Sequence, residues 1–299
     1  QISWPLLSNR FECDIFVKHE NHLPTGSFKV RGGIWSIGQL ASKSVSTGVV
    51  AATRGNHGQS IAHAAGIFGI EATIVVPFGN NPDKNQAMEA MGAKLIEFGE
   101  DFDSSLDYAL RFSEKKGLRF IPSFHPLLVQ GVGTYAYEFL QAVPLLEIVY
   151  IPIGLGSGIA GFLSAKAALE ANVEVVGVVS ENADAYASSW ENQKLVSTKT
   201  ANTIADGLAV RVPSEASLNY ISNKVSRIIR VSDRQIIDAT KIILSDTHNL
   251  VEPAGAASLA GLIKEKKRNI GKCVGVVLSG SNIESDTLLE FIKKEEDDC

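Results

Sequence analysis

Four stretches of the chain carry residue types that could do chemistry. Lys29 lies in Pro24-Thr25-Gly26-Ser27-Phe28-Lys29-Val30-Arg31-Gly32-Gly33, where a Pro/Gly turn leads through Ser27 into a helix start. An amine held near helix N–H groups and Arg31, in a partly dehydrated cleft, has its ammonium form disfavoured and becomes a usable nucleophile. Elsewhere, a lysine in a first helical turn is only a solvated surface group. The second stretch, Thr53-Arg54-Gly55-Asn56-His57-Gly58-Gln59, follows an apolar run. Helix-start amides with the Thr53 hydroxyl and the Asn56 amide suit a carboxylate, and they equally suit a polar helix cap. Third is Ile151-Pro152-Ile153-Gly154-Leu155-Gly156-Ser157-Gly158-Ile159-Ala160-Gly161, whose glycines let main-chain N–H groups close around a phosphate. It is not a G-x-G-x-x-G followed by a ribose-binding acid at the end of the next apolar run, which ends in Ser180 before Glu181, so a dinucleotide is the lesser reading. In the fourth, Val277-Leu278-Ser279-Gly280-Ser281-Asn282, Ser279 offers a hydroxyl able to share a hydrogen bond with a neutral ring nitrogen.

Each stretch follows or opens a regular element. Near-continuous apolar runs predict strands over 14–17, 48–52, 72–77, 94–98, 148–153, 173–179 and 273–278. Helical period and length predict helices over 29–41, 56–68, 84–91, 102–116, 135–142, 159–171, 233–246 and 254–267. Strands alternating with helices along the whole chain indicate an α/β doubly wound architecture with mostly parallel sheets. Ligands in such sheets bind at the carboxyl ends of strands, where the Gly-rich turns lie.

The 299 residues suffice for one large or two modest domains, and 45% hydrophobic with 20% charged residues is an ordinary globular balance. A net charge of −5 offers no broad positive field, which argues against nucleic acid or an anionic membrane as partner and for a small molecule. Cys13, Cys273 and Cys299 form no C-x-x-C and no even set, so a reducing, cytoplasmic setting is expected. No run has the apolar length of a spanning helix and no signal-peptide pattern opens the sequence, although a start at Gln1 rather than Met allows for a trimmed leader. The charged tail 293–298 reads as a solvated helix end.

Taken together, a reactive lysine, an asparagine loop, a phosphate loop and a serine at a late strand end resemble the fold-type II pyridoxal-phosphate enzymes of the threonine dehydratase, serine dehydratase and serine racemase group. Further matches are Lys18-His19-Glu20-Asn21, Met91-Gly92-Ala93, Thr203-Ile204-Ala205-Asp206-Gly207-Leu208-Ala209-Val210 and Val251-Glu252-Pro253-Ala254-Gly255-Ala256-Ala257, so the resemblance spans nearly the whole chain. It implies two open α/β domains, 1–47 with 132–299 for the cofactor and 48–131 for the substrate carboxylate, with pyridoxal 5'-phosphate in the cleft between them. By the same resemblance Lys29 bonds the cofactor's aldehyde and later transfers the α-proton, Phe28 packs beside the ring and Asn56 bonds its phenolic oxygen. Gly154, Leu155, Gly156, Ser157 and Gly158 take the phosphate, Ser279 meets the ring nitrogen, and Gly207 and Glu252 line the ring. Thr53, Arg54, Gly55, Asn56 and His57 form the substrate loop. The implied reaction is elimination of water from a β-hydroxy amino acid such as threonine or serine, followed by hydrolysis to a 2-oxo acid and ammonia.

Some positions depart from the pattern of the relatives. Arg54 stands where the racemases have a serine acting from the opposite face, and a guanidinium, charged at every relevant pH, does not replace it, so racemisation is not expected. Arg54 either turns outward or meets a second anionic group, as in 3-hydroxyaspartate. A β-replacement synthase is the other alternative, although the Thr-Ser-Gly-Asn-Thr loop of cysteine synthases is absent. Glu181 and Asp184 are two carboxylates where metal-binding relatives gather more, and they need carbonyl and water ligands beside them, so a divalent metal is allowed by the sequence and not predicted. His19, His22, His63, His125 and His248 show no ligand spacing and read as structural. No isoleucine-responsive domain is expected beyond Cys299, and a homodimer or homotetramer is.

Overall fold

Runs such as Val49–Ala52 and Ala72–Val76 are buried at every position, so they pair where both sheet faces are covered. The computed structural model describes residues 1–43 and 47–293, and Cys299 and most of the charged tail lie outside the described residues. In chain order the strands are β1 (Ile2–Ser3), β2 (Asp14–His19), β3 (Val49–Ala52), β4 (Ala72–Val76), β5 (Lys94–Glu97), β6 (Arg119–Phe120), β7 (Ile148–Pro152), β8 (Glu174–Ser180), β9 (Arg227–Val231) and β10 (Cys273–Leu278). The α-helices are α1 (Pro5–Phe11), α2 (Lys29–Ala41), α3 (Asn56–Phe68), α4 (Pro82–Ala90), α5 (Phe102–Lys116), α6 (Pro126–Ala142), α7 (Ser157–Ala168), α8 (Ala185–Asn192), α9 (Glu215–Ile221), α10 (Asp233–Thr247), α11 (Pro253–Lys264), α12 (Lys266–Asn269) and α13 (Ser285–Lys293).

The chain forms two units, Gln1–His22 with Gly133–Cys299, and Leu23–Val132. The first is built on a sheet of order β1-β2-β10-β7-β8-β9, parallel throughout except where β1 runs against β2. Its central helix α11 is buried from Pro253 to Leu262, as an all-apolar helix must be. The second holds the parallel sheet β5-β4-β3-β6. Mostly parallel sheets with intervening helices are the α/β fold expected of fold-type II enzymes.

The boundary differs from the expected 48–131, because the described residues 23–43 fall in the second unit. Two glycines of α2 explain this. A Cβ on Gly33 would lie 2.2 Å from Ser60 Oγ, and one on Gly32 would lie 2.8 Å from the Leu128 carbonyl oxygen, so α2 seats against α3 and α6 at backbone distance.

Candidate active site

In the second unit, Lys29 opens α2 and its carbonyl accepts a 2.6 Å hydrogen bond from Ser60 Oγ. The Lys29 Nζ lies 4.9 Å from the centroid of the Phe28 ring. Two residues earlier, the Ser27 hydroxyl is buried without a hydrogen-bond partner.

The carboxylate loop of the same unit follows β3. Thr53 N–H donates to the Val75 carbonyl at 3.0 Å, prolonging the ladder, and Thr53 Oγ1 accepts from Gly55 N–H at 3.0 Å, curling the chain into α3. The N-cap of α3 is Gly55, which has no side chain to offer the first turn. Gly58 lets that turn sit against the loop, since a Cβ there would meet Met88 Sδ at 2.4 Å and Thr53 Cγ2 at 2.5 Å. The His57 ring is buried, and its Nε2 lies 3.2 Å from the Ile121 carbonyl, which assigns the proton to Nε2. Burial, and next the positive charge of Lys29, lower the His57 pKa to about 4 against the opposing pull of the Ile121 carbonyl. The ring is therefore neutral and structural, and what His57 offers a ligand is its main-chain N–H. Arg54 is exposed.

In the first unit the glycine loop leaves β7 and enters α7 through Gly156, at φ +91°, with no side-chain cap. Segments far apart in sequence meet here. A Cβ on Gly154 would lie 2.1 Å from the Gly207 carbonyl oxygen, and one on Gly207 would lie 2.8 Å from Ala254 Cβ and 3.9 Å from Glu252 Oε1. A Cβ on Gly255 would in turn lie 3.2 Å from the Ser279 nitrogen. Gly154, Gly207, Glu252 and Ser279 thus share one neighbourhood at the carboxyl ends of β7 and β10.

Sequence reasoning missed the groups that brace this neighbourhood. Tyr186 on α8 donates to the Leu155 carbonyl at 3.0 Å, and Tyr135 on α6 donates to the Gly158 carbonyl at 3.0 Å. Their only sequence signal was a buried-type aromatic with a polar tip, which must find a partner. Asn21 binds the Leu250 carbonyl through Nδ2 at 2.9 Å, while its own carbonyl accepts from Ser281 Oγ at 3.0 Å. His19 accepts from Trp4 Nε1 at 3.0 Å and faces Asn21 Oδ1 at 3.1 Å, and burial lowers its pKa to about 4. The Lys18-His19-Glu20-Asn21 motif is thus a brace for the Ser279 turn.

Asp184, one of the two carboxylates weighed for a metal, accepts from Arg230 Nε at 2.8 Å and from Ser188 Oγ at 2.9 Å. Among the described residues no three His, Cys, Asp or Glu side chains gather as a metal site.

The family model described as "Pyridoxal-phosphate dependent enzyme" matches residues 2–280. The chain belongs to that family. An uncapped α7 behind glycines with no room for a Cβ suits a phosphate, and a partnerless hydroxyl beside Lys29 suits a polar ligand there, so the residues present fit the cofactor. The L-threonine ammonia-lyase of Thermotoga maritima is 35% identical over 94% of this chain and 70% of that protein. The L-threo-3-hydroxyaspartate ammonia-lyase of Saccharomyces cerevisiae is 30% identical over 98% of this chain and 90% of that protein. Among solved structures, the processed form of threonine deaminase isoform 2 from Solanum lycopersicum superposes with TM-score 0.94 at 27% identity, covering 99% of this chain and 87% of that one. The chain spans about half the length of several other threonine dehydratases that it matches.

Proposed function

We propose that this pyridoxal-phosphate enzyme is an ammonia-lyase that eliminates water from a β-hydroxy amino acid, threonine or serine, to give an enamine that water hydrolyses to the 2-oxo acid and ammonia. Lys29 holds the cofactor by its amine, Asn56 bonds its phenolic oxygen, Phe28 packs on it, and Gly154, Leu155, Gly156, Ser157 and Gly158 surround its phosphate. Gly207 and Glu252 line its ring and Ser279 faces the ring nitrogen. When bound, the cofactor withdraws electrons from the substrate α-carbon, a chemistry that no side chain supplies.

The protein's own residues do the rest. The α3 N-terminus with Thr53, Gly55, Asn56 and His57 orients the substrate carboxylate, and the neutral His57 adds no competing charge behind it. The Lys29 amine would take the proton from the α-carbon, and the β-hydroxyl would leave as water after gaining a proton from solvent. The observation that carries elimination is Ser279, a neutral hydroxyl at the end of β10 where a carboxylate would hold the ring nitrogen protonated. By leaving the ring nitrogen unprotonated, the neutral Ser279 would favour loss of the β-group over return of the α-proton.

A second reading, 3-hydroxyaspartate as substrate, is favoured by exposed Arg54 next to the carboxylate loop and by the likeness to the yeast hydroxyaspartate enzyme. The free thiols of Cys13 and Cys273 suit a reducing, cytoplasmic setting, and a homodimer or homotetramer completes the proposal. Among the described residues no helix is long and apolar enough to cross a membrane.

The test is a panel of serine, threonine and 3-hydroxyaspartate isomers with the purified holoenzyme, reading ammonia and 2-oxo acid together. Equimolar release from at least one substrate is expected. Binding of the cofactor with no oxo acid from any of them defeats the proposal.

A further inference from the structure

We propose that the Ser217 hydroxyl is a further ligand of the phosphate that the 154–158 loop receives, an inference that rests on the cofactor site proposed above. Ser217 is the third residue of α9 and has no exposed surface. Its main chain is fixed, because its N–H donates to Oγ of the capping Ser214 at 3.4 Å. Its side chain points at the glycine loop, since a Cβ on Gly156 would lie 1.9 Å from Ser217 Oγ.

That hydroxyl has no hydrogen-bond partner within the protein. Burial raises the Tyr186 pKa and the nearby Ser217 hydroxyl opposes that rise, but the Tyr186 hydroxyl is committed to the Leu155 carbonyl at 3.0 Å and to Ser214 N–H at 3.1 Å, and its approach to Ser217 falls outside hydrogen-bond geometry. Burying an unpaired hydroxyl is costly unless a ligand satisfies it.

The chemistry of that ligand follows from the neighbours. The start of α7 presents first-turn N–H donors that its N-cap, Gly156, has no side chain to cap, and they carry the positive end of the helix dipole. A group that accepts from several N–H donors and one O–H donor at once is an anion with several oxygens, which a phosphate monoester is.

The experiment compares pyridoxal 5'-phosphate with pyridoxal, which lacks the phosphate, by absorbance titration of the full-length protein stripped of cofactor. Ser217→Ala is expected to weaken pyridoxal phosphate roughly tenfold to a hundredfold, the usual worth of a hydrogen bond to a charged group, with pyridoxal unchanged. Ser217→Thr is expected to restore binding. Ligand-free Ser217→Ala is expected to melt no lower than the parent, having lost an unpaired buried hydroxyl, and to gain fewer degrees on saturation with pyridoxal phosphate. Equal weakening of both ligands, no weakening, or a lower ligand-free melting temperature overturns the assignment of Ser217. Failure of the parent protein to bind pyridoxal phosphate overturns the cofactor site itself.

Discussion

The hydroxyl of Ser60, one turn into α3, donates a 2.6 Å hydrogen bond to the carbonyl of Lys29, the first residue of α2. The proposed nucleophile is thereby tied to the helix whose start forms the carboxylate loop. Ser60→Ala is expected to cost about 1–2 kcal/mol in urea denaturation, and to lower kcat as Lys29 loses its fixed position. An unchanged kcat would separate this bond from catalysis.

Gly33→Ala tests the same seam by steric means. Its new methyl would sit 2.2 Å from Ser60 Oγ and 2.7 Å from the Ser60 carbonyl oxygen, so a loss of about 1–3 kcal/mol is expected. Adding Ser60→Ala removes only the side-chain clash. Thermal melts of the double variant should therefore recover part of the loss, and full recovery would refute the backbone contact.

Lys29→Ala is expected to reduce 2-oxo acid release to background. Borohydride treatment of the parent holoenzyme should leave a reduced adduct at position 29 by peptide mass analysis, and an adduct at another lysine would reassign the nucleophile.

Gly154→Ala should abolish cofactor retention, because its methyl would stand 2.1 Å from the main-chain oxygen of Gly207, which no rotamer can move. Equilibrium dialysis against pyridoxal phosphate reads this directly.

Arg54→Ser decides between the two substrate readings. If Arg54 meets a β-carboxylate, kcat/KM for 3-hydroxyaspartate falls at least tenfold relative to threonine, as expected for loss of a charged hydrogen bond. An unchanged preference leaves Arg54 without a substrate role.

Acid stability follows from His57. Its folded pKa of about 4 lies below the ordinary value of 6.5, so the unfolded chain binds a proton first as pH falls. Stability is fully present above pH 6.5 and is lost between there and about 4, at up to about 1.4 kcal/mol per pH unit for this group. His57→Gln should flatten that slope in urea melts taken at stepped pH, and an unaltered slope would show that His57 does not control it.

How much of this was legible in the sequence depended on whether the signal was local. Helices α2, α3 and α5 fall on the predicted residues, since long periodic segments carry their own evidence of burial. Strand β9, Arg-Ile-Ile-Arg-Val, went unpredicted because its arginines break the apolar run, and they do so to pair with Glu265 and Asp184 on other elements. Short helices α8 and α9 lack enough turns to show a period, yet they carry Tyr186 and Ser217.

The residue types at the strand ends were enough, by themselves, to single out Lys29, the 53–57 loop, the glycine loop and Ser279, because turn chemistry and helix starts are written within a few neighbouring positions. Only tertiary structure decided that 23–43 packs with the second unit, that the His57 ring is spent on Ile121, and that Gly154, Gly207, Glu252 and Ser279 share one neighbourhood. Those facts depend on close approach between segments tens to more than a hundred residues apart, and no local pattern encodes which backbone atoms will meet.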